Sequence, residues 1–317
     1  MKIFVIGAGR WGSFITWYLD RIGHEVSLYG RESSKKMQEL IKTRSNGVIT
    51  LPKTVNLTSS LDTIEESDAI LISIDSQGLS SLMDTLKEKN IEGKTFILCM
   101  KGIEIGSGKR LSEIVKEKAP ASSVAVWLGP GHVQEFYAGR PNCMVIDSED
   151  EETKHKLVDA FSGNLIRFYY GSDLIGNEIG AAAKNVIGIA AGILDGLGLS
   201  SLKGALMARA PREISRLVEA MGGNPVSVYG LCHLGDYEAT VFSKYSHNRA
   251  FGEALVTGEE INGLAEGYYT VKALVELSAK YSVELPICSA VYNVIYENAS
   301  VEEEMEKLFS RSIKNEF

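Results

Sequence analysis

Basic residues are in the minority. Against 41 Asp and Glu stand only 33 Lys and Arg, for a formal net charge of −8 across 317 residues. That balance argues against a nucleic-acid partner, which usually meets a basic face. It also means that local cations must hold any anionic substrate, because the overall field does not attract it. Cysteine is scarce as well. Cys99, Cys143, Cys232 and Cys288 lie far apart, without metal-ligand spacing. They read as reduced core thiols of a cytoplasmic protein. The five histidines are scattered, and without i, i+4 pairs they predict no metal site. No apolar run approaches the roughly 20 residues of a membrane span. The opening MKIFVIGAGRWG is too short and glycine-rich for the apolar core of a signal peptide. Internal repeats, low-complexity tracts and disordered linkers are missing too.

What is present alternates. KIFVIG reads as a buried strand, followed by a helix from about Trp11 to Ile22. EVSLYG, AILISI, TFILCM and SVAVWLG continue the series of strands, and NCMVID and LIRFYY close it around a helix over 151–161. Strands alternating with helices predict an α/β dinucleotide-binding, Rossmann-like domain with a mostly parallel sheet. After Gly171 the pattern turns helical, with helices over 174–194, 201–221, 263–281 and 286–298 and a short one at the end. We therefore expect two domains, 1–170 for dinucleotide binding and an all-α 171–317 for substrate and catalysis.

VIGAGRWG sets Gly7, Gly9 and Gly12 in G-x-G-x-x-G register, after a predicted strand and at the start of a predicted helix. That context gives the motif its mechanism. Gly7 permits the tight turn, Gly9 lets the backbone approach a pyrophosphate, and Gly12 allows close helix–strand packing. The N–H groups of the helix N-terminus then hold phosphate. Arg31 follows the second strand, where an acidic residue would hold the ribose of NAD. An arginine there suits a 2′-phosphate or stacks on adenine, which tilts the cofactor towards NADP. Glu32 keeps NAD open.

Further motifs gather on predicted strand ends and helix starts. MKGIE puts Lys101 past a strand's C-terminal end, the edge where open parallel sheets bind ligands. LGPGH brings Gly129 and Gly131 to the next such edge. HLGDYEAT and SKYSHNRAFGE gather Asp236, Thr240, Ser246, His247, Asn248 and Arg249. Within IGAAAKNVIGIAAGILDGLG, Lys184 is one cation among alanines, glycines and isoleucines. An isolated ammonium in apolar surroundings is costly.

Taken together, these segments resemble the NAD(P)-dependent glycerol-3-phosphate dehydrogenase family over nearly the whole chain. The stretch KNVIGIAAGILDGLGL carries most of the specificity. The resemblance implies a dinucleotide-binding domain followed by a helical one, and a cytoplasmic enzyme. It would interconvert dihydroxyacetone phosphate and sn-glycerol 3-phosphate with NADP or NAD, supplying glycerol 3-phosphate for phospholipid synthesis. The partner is a phosphorylated small molecule; no nucleic acid or membrane span enters, and a homodimer is the assembly kept open.

The resemblance also implies roles, residue by residue. Lys184 is the catalytic acid/base; burial disfavours an ammonium and lets such a lysine give and take a proton. Lys101 binds substrate near the nicotinamide. Asn185, Asp236 and Thr240 match polar positions around the substrate, with Asp236 orienting Lys184. Ser246 and Asn248 match a phosphate-binding S-R-N element. Glu266 matches a cofactor-contacting glutamate. Arg10 and Trp11 occupy the turn that meets the pyrophosphate, and Val133 stands near the cofactor.

Two departures fall on the substrate side. The S-R-N element reads Ser246, His247, Asn248, and neutral histidine cannot reproduce arginine's bidentate grip on phosphate. Gly131 replaces the hydroxyl residue usual in its turn. A reductase acting on a different small hydroxy or keto compound is the alternative that these changes keep alive.

Overall fold

The computed structural model describes residues 1–259, 265–313 and 315. The chain divides into two compact units. The first is Met1–Lys101 with Lys109–Glu178, and the second is Gly102–Gly108 with Ile179–Phe317.

Unit 1 runs β1 (Lys2–Ile6), α1 (Arg10–Arg21), β2 (Glu25–Tyr29), α2 (Lys35–Thr43), β3 (Asn56–Thr58) and β4 (Ala69–Ile72). It continues with α3 (Leu79–Leu86), β5 (Thr95–Leu98), α4 (Leu111–Lys118), β6 (Ser123–Leu128) and α5 (Val133–Tyr137). β7 (Asn142–Ser148), α6 (Glu151–Phe161) and β8 (Ile166–Tyr170) complete it. The eight strands form one sheet in the order β3-β2-β1-β4-β5-β6-β7-β8. Every neighbouring pair is parallel except β6 and β7. This is the mostly parallel sheet expected. Its central strands are continuous aliphatic runs because helices cover both faces; all four residues of AILI in β4 are buried.

The strand order reverses between β1 and β4, whose C-terminal ends form the switch point at which such sheets take ligands. Around it the core is filled by Phe14, Tyr18, Trp127 and Phe161, all essentially unexposed. Local chemistry sets the helix starts. Ser34 accepts from the Met37 N–H to begin α2, and Asp150 accepts from the Glu152 and Thr153 N–H groups to begin α6.

The chain then enters α7 (Leu174–Gly196), α8 (Lys203–Ala220), α9 (His247–Thr257), α10 (Glu266–Tyr281), α11 (Pro286–Tyr296) and α12 (Val301–Phe309). Helical predictions over 174–194 and 286–298 correspond to α7 and α11. The one over 263–281 corresponds to α10, its residues 263–264 lying outside the described residues. α9 was not predicted as a helix. One expectation is corrected: α7 spans 23 residues and is apolar enough to cross a bilayer by length and composition. Its most apolar window is 83% buried within the protein, which is the setting of a core helix. The helix itself was predicted; its glycines, which weaken hydropathy by eye, are what made it look less apolar than a span.

Candidate active site

Two of the three glycines in the turn of unit 1, Gly7 and Gly12, have a steric explanation. Gly7 sits at φ +124°, and a Cβ there would come 2.1 Å from the Ser73 carbonyl oxygen, just past the end of neighbouring β4. A Cβ on Gly12 would lie 1.9 Å from the Gly7 oxygen, so α1 can lie on β1 only with glycine there. Gly9 differs: a Cβ would meet nothing within 4 Å. No packing constraint asks for glycine at that point, and the open space fits a group that approaches the backbone. Gly9 caps α1 without any side-chain bond, and the first turn holds no acidic residue. Its N–H groups and dipole therefore suit a phosphate. Arg10 is exposed beside the turn. Trp11 packs on Phe14 and Phe136, at ring centroid distances of 5.2 and 6.2 Å.

Arg31 is exposed just beyond β2, next to exposed Glu32 and ahead of Lys35 and Lys36 at the start of α2. Past β5, Lys101 Nζ donates to the Gly129 carbonyl at 2.9 Å. This bond joins two predicted site residues at the C-terminal edge of the sheet. Gly131 has φ +148°, and a Cβ on it would stand 2.1 Å from the Phe136 ring. The departure at Gly131 thus has a packing cause. Val133, buried, opens α5 directly after His132.

In unit 2, α7 carries Lys184 with 8% of its surface exposed. The ammonium is not isolated. Its Nζ lies 2.8 Å from Asp236 Oδ2 and donates to Thr240 Oγ1 at 2.8 Å. Asp236 and Thr240 are 1% and 2% exposed. The carboxylate supplies the counter-charge whose absence made a lone lysine puzzling. Asp236 ends a 3₁₀ turn, Leu234–Asp236, and Thr240 lies in a π-helical turn, Glu238–Phe242. π turns often mark sites where side chains are re-aimed.

A second group surrounds Asn185. Asn248 Nδ2 donates to Asn185 Oδ1 at 3.1 Å, and its Oδ1 accepts from the Gly267 N–H at 2.9 Å. Asn185 Nδ2 reaches Glu266 Oε2 at 3.4 Å. Ser246 caps α9 by accepting from the Arg249 N–H at 3.2 Å. Of the predicted substrate residues, His247 alone in this unit is exposed, on the first residue of α9. Arg249 is turned elsewhere. Its Nη1 is 2.7 Å from Asp195 and 3.0 Å from Glu253, so it does not replace the missing arginine.

The glycines of α7 explain how these residues meet. A Cβ on Gly188 would press on Thr240 and Asn248 at 2.7 and 3.2 Å. One on Gly192 would lie 1.9 Å from the Arg249 carbonyl oxygen, and one on Gly252 of α9 the same distance from that of Ile189. The two helices therefore touch backbone to backbone, which only small residues allow. That seam carries Ser246 and Asn248 to the turns of α7 that bear Lys184 and Asn185.

Sequence reasoning missed three partner residues. Asp195 binds both Lys203, at 2.6 Å, and Arg249. His233 bonds the Gly180 carbonyl, and Tyr237 bonds His233. Their i, i+4 spacing was the one available signal. The four cysteines are free thiols, three buried and Cys143 half-buried. Among the described residues no cluster of metal-ligating side chains occurs.

The architecture defines a class, the Rossmann-like α/β proteins with a helical C-terminal region. Two family models narrow it: the N-terminus of NAD-dependent glycerol-3-phosphate dehydrogenase matches residues 2–154, and the C-terminus of the same family matches 173–306. The chain is 37% identical to the glycerol-3-phosphate dehydrogenase (NAD(P)+) of Prosthecochloris aestuarii, covering 100% of both. It is 34% identical to that of Chlorobium limicola, over 100% of this chain and 99% of the relative. The crystal structure of glycerol-3-phosphate dehydrogenase from Coxiella burnetii superposes with a TM-score of 0.93 at 28% identity, covering 98% of this chain and 99% of that one. The chain belongs to the NAD-dependent glycerol-3-phosphate dehydrogenase family.

Proposed function

We propose that this protein interconverts dihydroxyacetone phosphate and sn-glycerol 3-phosphate with NADPH or NADH. The observation that carries this reading is the buried Lys184 held 2.8 Å from Asp236 and 2.8 Å from Thr240, in a chain of this family. When bound, the nicotinamide cofactor supplies the hydride. Lys184 Nζ gives a proton to the carbonyl oxygen of the ketone, and in reverse it takes the proton of the hydroxyl. Asp236 and Thr240 orient the amine for both directions. Asn185 and Asn248, which bond to each other, and Ser246 offer polar contacts to substrate. Lys101, Gly129 and Gly131 are assigned to substrate as well. Gly7, Gly9, Gly12, Arg10 and Trp11 hold the pyrophosphate; Arg31, Val133, Lys101 and Glu266 complete the cofactor set. Three buried thiols of four support a reducing, cytoplasmic setting, and the product suits supply of glycerol 3-phosphate for phospholipid synthesis.

Oxidation of NADPH and NADH is followed with dihydroxyacetone phosphate and with free dihydroxyacetone. The expected result is turnover with the phosphate ester and about a hundredfold lower kcat/KM without it, since one charge-assisted phosphate contact contributes about 3 kcal/mol. Equal efficiency on both ketones overturns the substrate assignment. His247 favours a second reading, a different small hydroxy or keto compound, because Arg249 is committed to Asp195. His247→Arg separates the two. A steep gain on dihydroxyacetone phosphate would show that the native pocket serves something else.

A further inference from the structure

His233 has no exposed surface, yet both its ring nitrogens have partners. Nδ1 lies 2.8 Å from the Gly180 carbonyl oxygen, and Nε2 lies 2.7 Å from the Tyr237 hydroxyl. A carbonyl only accepts. Nδ1 therefore carries the proton, and Nε2 accepts from the Tyr237 O–H. Burial holds the imidazole down at about 4 and pushes the Tyr237 phenol well up. Both groups stay neutral through the range in which a cytoplasmic enzyme works.

The two ends of this relay are informative. Gly180 lies four residues before Lys184, and its carbonyl is the one that accepts the Lys184 backbone N–H in an α-helix. A Cβ on Gly180 would stand 3.0 Å from His233 Cβ, so glycine lets the ring reach the helix. At the other end, the His233 carbonyl accepts from the Asp236 N–H at 3.0 Å, and the Tyr237 carbonyl accepts from the Thr240 N–H at 3.0 Å. Asp236 and Thr240 are the two side chains that hold Lys184 Nζ. The rings meet edge to face, 5.0 Å apart.

We infer that His233 and Tyr237 form a positioning clamp, which ties the Asp236–Thr240 segment to the turn of α7 below Lys184 and thereby fixes the direction of the amine. The two His233 nitrogens are engaged with Gly180 and with the Tyr237 hydroxyl, so both residues act through Asp236 and Thr240 as positioning residues. The inference rests on Lys184 acting as the acid/base, as proposed above. It gives buried His233 a purpose that metal binding or direct proton transfer does not supply, because both of its nitrogens are already used.

Tyr237→Phe is the sharpest variant, since it removes one oxygen and keeps the ring. We expect kcat to fall about tenfold, the effect of about 1.4 kcal/mol on a barrier, with the KM for cofactor within twofold. A double-mutant cycle with Asp236→Asn then separates positioning from general damage. If the clamp acts through Asp236, Tyr237→Phe costs less than twofold in the Asp236→Asn background. A full tenfold loss there, or no loss in the wild-type background, overturns the clamp. The functional reading fails differently, by absence of turnover on dihydroxyacetone phosphate in the unmodified protein. In that event the clamp is read from the nitrogen resonance of the Lys184 amine. A changed resonance in Tyr237→Phe supports it and an identical one overturns it.

Discussion

Helix α7 carries two buried ionic groups six residues apart, and they do different work. Glu178 is enclosed: its carboxylate accepts from Arg110 Nη1 at 2.7 Å, from the Ser112 N–H at 2.9 Å and from the Ser112 hydroxyl at 2.6 Å. It satisfies the first turn of α4, as a capping residue would. Glu213 does the same for α11, accepting from the Ile287 and Cys288 N–H groups at 2.8 and 2.9 Å. Burial pushes both carboxyls up. Lys184 instead meets a carboxylate and a hydroxyl from one short segment. Burial of a charge is therefore no mark of function by itself. What separates the cases is whether the partners are backbone N–H groups that need an acceptor or side chains that aim a proton.

Substitutions can break that contrast, beginning with the largest effect. Lys184→Ala should lower turnover by about a thousandfold, within the range of acid–base catalysis, and leave cofactor affinity within about threefold by fluorescence titration. Arg110→Ala should do the reverse. It leaves Glu178 buried without its cation and costs about 4 kcal/mol of stability in urea unfolding, while kcat per folded molecule stays within about threefold. A pair of losses in the same observable would erase the distinction.

A pH experiment comes next. The folded-state value of His233, about 4, lies below the ordinary 6.5, so the unfolded chain takes the proton first. Its contribution is present in full above pH 6.5 and is lost as pH falls through about 4, by about 3 kcal/mol. Glu178 and Glu213 act in the opposite sense, so the comparison must be made against His233→Gln. The stability difference between the two proteins should shrink by that amount from pH 7 to pH 4. A constant difference would refute neutral burial of the ring. The smallest effect is at the glycine turn. Gly9→Ala should change stability by less than about 0.5 kcal/mol, as for a substitution into open space, yet weaken NADPH or NADH binding about tenfold. Unchanged binding would remove the turn from the cofactor set.

Much of this fold was legible as periodicity. Apolar strands of unit 1 announced themselves because a parallel sheet buried on both faces needs unbroken aliphatic runs. β3 did not, since its three residues Asn56–Thr58 are too few and too polar to form such a run. α9 was hidden for a different reason. Its face towards α7 is built of Gly252 and backbone, so it lacks the apolar stripe that signals a helix. Of the candidate site, the residue types were visible and their pairing was not. Lys184 and Asp236 are 52 positions apart in sequence, and the backbone seam that joins their surroundings leaves only glycines as its trace. The pairing of His233 with Tyr237 emerges only in the structure, where the Gly180 carbonyl gives the imidazole its proton assignment.

The central claim is that the amine at position 184 delivers and removes the proton. Single-turnover oxidation of prebound NADPH or NADH by dihydroxyacetone phosphate in Lys184→Ala tests it most directly, with and without added methylamine. The account requires a slow reaction that quickens as the small amine is supplied. Oxidation as fast as in the unmodified protein, with no amine present, would contradict it.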